Sequence, residues 1–238
     1  MGPAVGFAVA SLLAANPGSL GAATDISLAS PRTGAVELKL GSYLPRIDEE
    51  EGLTGSPYAD TFDGSMLLFE VEIERFFYQG IGTAGVGLSV GYAEKYGNAR
   101  ETSSGNVAAE VTAFKVLPVR LSALYKFDYA AFRYGIPLVP YVEAGLVYTP
   151  WWINKGSEYE SIGGSTGKGG RYGYGFTAGI SFMLDVLEPR FARDFDSDSG
   201  VNHSYLFAEY TRATVDNFGG AGLNLSSRNW MFGLAFDY

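Results

Sequence analysis

The stretch Asn229–Tyr238, NWMFGLAFDY, decides the fold. Trp230, Phe232, Leu234, Phe236 and Tyr238 occupy every second position, with Asn229, Met231, Gly233, Ala235 and Asp237 between them. Successive side chains of a β-strand point to opposite faces, so this strand presents one row of large apolar groups and one row of smaller or polar ones. A row that bulky must face either a core or lipid.

The same alternation recurs upstream and yields eight candidate strands. Gly34–Leu44 sets Val36, Leu38 and Leu40 against Glu37 and Lys39. In the second strand Leu67, Phe69, Val71 and Ile73 oppose Glu70, Glu72 and Glu74; in the third Ala84, Val86, Leu88, Val90 and Tyr92 oppose Gly85, Gly87, Ser89 and Gly91. A fourth runs from about Val107 to Phe127, its apolar row opposing Arg120, Ser122 and Lys126. The fifth sets Val142, Ala144, Leu146 and Tyr148 against Glu143, and the sixth sets Tyr172, Tyr174, Phe176, Ile180 and Phe182 against Gly, Thr, Ser and Asp185. His203–Thr214 is a less regular seventh, with Leu206, Ala208 and Tyr210 opposing Glu209 and Thr211, and the C-terminal stretch is the eighth.

Whether the bulky rows point in or out follows from three features. In the third and sixth strands the polar row is almost all Gly, Ser and Thr, as the cramped lumen of an eight-stranded barrel requires; water would set no such size limit. Connections alternate in length. Pro45–Ser65, Glu94–Asn106, Pro150–Arg171 and Val215–Ser227 are long, whereas Gln79–Gly82 is tight and Asp128–Pro137 moderate. Long loops at one end and short turns at the other are the pattern of outer-membrane barrels. Val186–Asn202 breaks the alternation, a long segment where a short turn belongs. Aromatic residues, among them Tyr43, Phe76, Tyr92, Phe127, Tyr148, Trp151, Trp152 and Tyr238, gather near strand ends, where amphipathic rings favour the headgroup level. These features predict an all-β, eight-stranded, antiparallel up-and-down transmembrane barrel with lipid outside and small or charged residues within.

Composition is compatible with this. Of 238 residues, 18% are charged and 15% aromatic, with 32 glycines. The net charge of -9 argues against nucleic acid, which requires a basic stripe. The absence of cysteine removes disulfides and thiol chemistry. Ala4–Ala15, AVGFAVASLLAA, is an apolar run of signal-peptide length, too short to span a bilayer, and small residues at Gly21–Ala23 suit a cleavage site. Residues 1–23 are therefore expected to be a signal peptide and 24–238 the barrel domain, although the run lacks the usual basic residue near Met1.

The final WMFGLAFDY resembles the C-terminal assembly signal of bacterial outer-membrane proteins, and the eight-strand layout resembles the small OmpA/OmpX/OmpW-type barrels. The resemblance implies outer-membrane location, surroundings of lipid and lipopolysaccharide, and recognition of Trp230, Phe232, Leu234, Phe236 and Tyr238 by the barrel-assembly machinery. It is a likeness of architecture and ending, with no catalytic motif, and it leaves the oligomeric state open.

Within the barrel, Lys39, Glu70, Glu72, Arg120, Glu143 and Glu209 are expected to form a lumenal charge network, since buried charges must be paired, hydrated or neutralised. Further inward acids are Glu37, Glu74, Asp185 and Asp237, and Lys126 is a further base. The preferred expectation is a charged plug holding the barrel shut, in a protein with a structural or surface-interaction role. The alternative is a narrow porin or OmpW-like conduit for small ions or hydrophobic molecules, for which Trp151, Trp152 and Ile153 at the start of a long loop offer a wall. No enzyme activity, cofactor or metal is expected. His203, the single histidine, falls at the periplasmic start of a strand, away from outer-leaflet substrates. Asp194, Asp196 and Asp198 have the 1-3-5 spacing of a calcium loop, but Ser199 replaces the turn glycine and Tyr205 the bidentate glutamate, so a solvated acidic turn is the expectation. The run Asp48–Glu51 reads likewise as a solvated loop.

Overall fold

The computed structural model describes residues 31–50, 53, 55–100, 107–155, 158–159, 161–162 and 165–238. The expected signal peptide, 1–23, and the remainder of the segment before residue 31 lie outside them. Eight antiparallel strands close into a ring. They are β1 (Gly34–Tyr43), β2 (Met66–Gln79), β3 (Thr83–Arg100), β4, β5 (Leu138–Lys155), β6 (Lys168–Met183), β7 (His203–Thr214) and β8 (Ser227–Asp237). β4 comprises Val107–Val116 and Val119–Lys126. Its interruption is local: Pro118 has no N–H to give the ladder, yet Ala93↔Val116 and Val90↔Val119 keep one register.

The ring closes where β8 meets β1, with Phe236 beside Val36 and Phe232 beside Leu40. Closure removes both sheet edges, the condition for strands to cross a bilayer. The orientation of the rows is unambiguous: Phe232 is 57% exposed, while its neighbour Met231 is 1% exposed. Leu40, Phe69, Ile73, Leu88, Leu121, Leu146, Phe176 and Leu206 likewise lie on the outside, and Glu37, Lys39, Glu72, Arg120, Glu143 and Glu209 are buried within. No helix among the described residues is long and apolar enough to cross a membrane.

Several connections differ from expectation. The segment from Glu94 continues β3 to Arg100, and β5 runs on to Lys155, so strand pairing replaces much of two expected loops. Trp151, Trp152 and Ile153 consequently sit inside β5. The rim is uneven as a result: β3 and β5 have 18 residues each, whereas β1 has 10 and β8 has 11. At the other end, β6 stops at Met183, and Val186–Asn202 holds helix α3 (Pro189–Ser199). Asp185 is thus not a lumenal strand residue. It lies in the 3-10 turn Leu184–Val186, where its carboxylate meets the His203 Nδ1 at 2.6 Å and accepts the Ser204 N–H. Asp194, Asp196 and Asp198 lie on α3, and a helical backbone does not present alternate residues to one ion as a calcium loop does.

The first long connection folds back over the barrel. Helix α1 (Pro57–Phe62) packs on β3, and Asp48 accepts hydrogen bonds from the Tyr58 and Ala59 N–H groups at 2.7 and 2.9 Å. Asp48 therefore satisfies free donors at a helix start, where a carboxylate also meets the favourable end of the helix dipole. Burial, then the nearby Asp48, push the Tyr58 hydroxyl up to about 12, so it stays protonated and donates to the Gly64 carbonyl. Gly97 of β3 lies against the Thr61 carbonyl, and a Cβ there would fall inside contact distance. Gly97→Ala is expected to lift α1 from the barrel and leave the strands intact. Limited proteolysis should then cut within 44–65 much faster than in the parent, with heat-modifiable gel mobility retained.

Candidate functional site

Three layers of side chains line the lumen. The middle layer is charged because adjacent strands point glutamate and lysine rows at the same axis. Glu37, Lys39, Glu70, Glu72 and Glu74 come from β1 and β2, Arg120 and Lys126 from β4, Glu143 from β5 and Glu209 from β7. Lys39 is the hub. Its ammonium lies 2.8 Å from Glu72, 3.1 Å from Glu37, 3.3 Å from Glu209 and 4.0 Å from Glu143. Arg120 pairs with Glu70 at 2.7 Å and Glu72 at 3.6 Å, and donates to the Thr177 hydroxyl. Lys126 joins Glu74 at 2.5 Å to Glu37 at 3.3 Å.

All six residues named from the sequence are thereby brought into one cluster. Glu37, Glu74 and Lys126 belong to it as well, and so does Tyr141, whose hydroxyl donates to Glu209 at 2.7 Å. Tyr141 was legible in principle, since it sits on the same row as Glu143. Carboxylates outnumber cations, and both Glu143 oxygens lack a hydrogen-bond donor among the described residues. Carboxylate oxygens of Glu37, Glu72 and Glu143 lie within 4.8 Å of one another, a spacing that suits a metal. The Lys39 ammonium, however, already stands among these three groups and supplies the positive charge there.

Above this layer lies an apolar one. Ile47, Tyr58 and Phe62 from the first long connection and Val215 and Leu225 from the last fold onto Tyr43, Leu68, Phe114, Val116, Val147 and Met231 of the wall. Phe114 meets Tyr58 edge-on at 6.0 Å and Phe62 at 5.8 Å, and Tyr43 donates to the Leu225 carbonyl at 2.8 Å. Trp151 and Ile153 turn inward against this cluster. The expectation of a uniformly small or polar inner row therefore fails in the upper half of the barrel. The physical reason is that the loops supply apolar partners that water would not. Between the two layers a cavity of about 30 Å³ remains, bordered by Glu70, Arg120 and Thr211 below and by Leu68, Val147 and Met231 among others. That is room for about one water.

The lower layer is a clasp. Arg32, just before β1, donates to Asp128 at 2.6 Å, to Asp237 at 3.1 Å and to Thr83. Thr83 donates to Asp128, Tyr205 to Asp237, and the guanidinium lies 4.5 Å from the Phe132 ring centre. Phe132 belongs to α2 (Tyr129–Tyr134), which forms the turn between β4 and β5.

No protein-family model and no curated protein sequence matches the chain. Solved structures do. The outer-membrane protein OprG from Pseudomonas aeruginosa is 13% identical over 88% of this chain and 98% of its own, with a TM-score of 0.51. Outer membrane protein W of E. coli is 16% identical over 87% and 99%, with a TM-score of 0.42, and Neisserial surface protein A is 16% identical over 86% and 96%, with a TM-score of 0.43. The chain has the fold of an eight-stranded outer-membrane β-barrel.

The likeness is one of fold, and it joins an exterior that only lipid can match. In this barrel, Trp230, Phe232, Leu234 and Tyr238 all point outward, and Phe236 is half-buried in the same row. Tyr238 also holds the seam: its carbonyl accepts the Thr33 and Gly34 N–H groups, and its own N–H donates to Gly34.

Proposed function

We propose that this outer-membrane barrel serves a structural or surface-interaction role, without catalysis and with its lumen closed to solutes. One observation carries the reading: an apolar layer rests directly on a charged layer, with a gap of about 30 Å³ between them. An ion leaving water would meet buried hydrocarbon, and an apolar solute would meet paired charges. Lys39, Glu70, Glu72, Arg120, Glu143 and Glu209 act here as a bolt across the barrel. Residues 1–23 act as the signal peptide, and the row from Trp230 to Tyr238 as the tag read by the barrel-assembly machinery. The surroundings are lipid and lipopolysaccharide.

The test is single-channel recording in planar bilayers. The parent and Arg120→Ala should both stay silent, because the apolar layer persists above the altered charge. Step-like openings in either would overturn the closed lumen.

A second reading, a conduit for small hydrophobic molecules, draws on a cavity of about 380 Å³ at the outer rim, lined by Ile47, Leu53, Tyr58, Phe62, Phe114 and Leu223 among others. Liposome uptake of an apolar dye would separate the two readings. Uptake above protein-free vesicles supports the conduit.

A further inference from the structure

The outer faces of β7 and β8 form a ladder of directly opposed residues: Leu206 with Leu234, Ala208 with Phe232, Tyr210 with Trp230, and Arg212 with Arg228. Two rungs are apolar and the third is an aromatic pair with ring centres 5.3 Å apart. The fourth places two arginines side by side on the exterior, both exposed, with Phe176 of β6 flanking Arg212. Neither guanidinium has a salt-bridge, hydrogen-bond or ring partner among the described residues. Like charges directly opposed across a strand pair are destabilising, so this rung works against the sheet in the protein alone.

Its height gives it a use. From His203 to Arg212, a strand of ordinary rise tilted by ~40° climbs about 23 Å along the barrel axis. The apolar band of such barrels is about 25 Å tall. The pair therefore stands at the outer-leaflet headgroups, immediately above the Tyr210–Trp230 girdle. A paired guanidinium fork at that level suits a phosphate, which arginine binds through parallel charge-assisted hydrogen bonds.

We infer that Arg212 and Arg228 form a binding site for the phosphate of a phosphorylated glycolipid in the outer leaflet, with the acyl chains lying down the Trp230–Phe232–Leu234 row. The anion cancels the repulsion of the rung, and the ring pair below it carries the sugar-to-acyl boundary. This site is on the outer wall and does not depend on whether the lumen is closed.

The test compares the parent with Arg212→Gln/Arg228→Gln in vesicles of zwitterionic phospholipid, each with added bis-phosphorylated lipid A, dephosphorylated lipid A or phosphatidylglycerol. The readout is the temperature at which the compact gel form is lost. Lipid A should raise the parent's midpoint and leave the double variant unmoved, with the concentration needed for half the effect rising on the order of tenfold per lost arginine. Dephosphorylated lipid A should raise neither. In plain vesicles the variant should be at least as stable as the parent, and Arg212→Gln alone serves if the double variant does not fold. Equal shifts in parent and variant, or an equal response of the parent to phosphatidylglycerol, would overturn the assignment.

Discussion

Replacement of Lys39 with Met is expected to cost the barrel about 3–5 kcal/mol, the scale on which buried charges lose a partner. Lys39 is fully buried and its ammonium is within 4.0 Å of four carboxylates, so the substitution strips Glu37, Glu72, Glu143 and Glu209 of their common cation. Size alone is not at issue, because Met fills nearly the same volume. Urea unfolding in lipid vesicles, followed by gel mobility, checks it. Adding Glu72→Gln and Glu209→Gln to Lys39→Met should recover part of the loss, since fewer unpaired anions remain. A triple variant no more stable than Lys39→Met would show that packing, and not charge, made the difference.

Loss of Tyr238 should have its largest effect in cells. Deleting it, or changing Phe236 to Asp, is expected to reduce the folded protein recovered from outer-membrane fractions several-fold. Two effects combine. The deletion removes the backbone hydrogen bonds that tie the end of β8 to Thr33 and Gly34. It also removes the terminal aromatic of the proposed assembly tag. Refolding the purified variant into detergent separates them: a chain that folds in detergent but fails to insert in cells has lost the tag, and one that fails in both has lost the seam. Normal insertion of both variants would remove the assembly role from this row.

The membrane-facing part of this fold is legible in the sequence because lipid and lumen impose opposite demands on alternate residues. Glu70, Glu72 and Arg120 can be placed inside from their neighbours Phe69, Val71 and Leu121 alone. The constraint relaxes where a strand leaves the bilayer. Beyond Glu94 and beyond Trp151, alternation weakens, and β3 and β5 read as loops although their pairing continues. The apolar upper layer was harder to see for another reason. Ile47, Tyr58 and Phe62 lie far apart in a connection without periodicity, and their partners come from distant strands. A local signal did exist: Leu68, Val147 and Met231 are large residues on inward rows that a narrow lumen would otherwise fill with small ones. For α3, a run of aspartates favours a turn by composition, whereas Pro189 near its start and Gly200, with φ of 73°, after its end mark a helix.

The Arg32 clasp has a meaning in time as well as in space. Its acceptors, Thr83, Asp128 and Asp237, come from β3, from the turn after β4 and from the last strand, while the donor precedes the first. Asp237 is the last of them in the chain, so the full set of contacts forms only once β8 has paired with β1. The clasp can close only when the final strand has come round to meet the beginning, so it records closure of the β8–β1 seam, a latch set across the two ends of the chain.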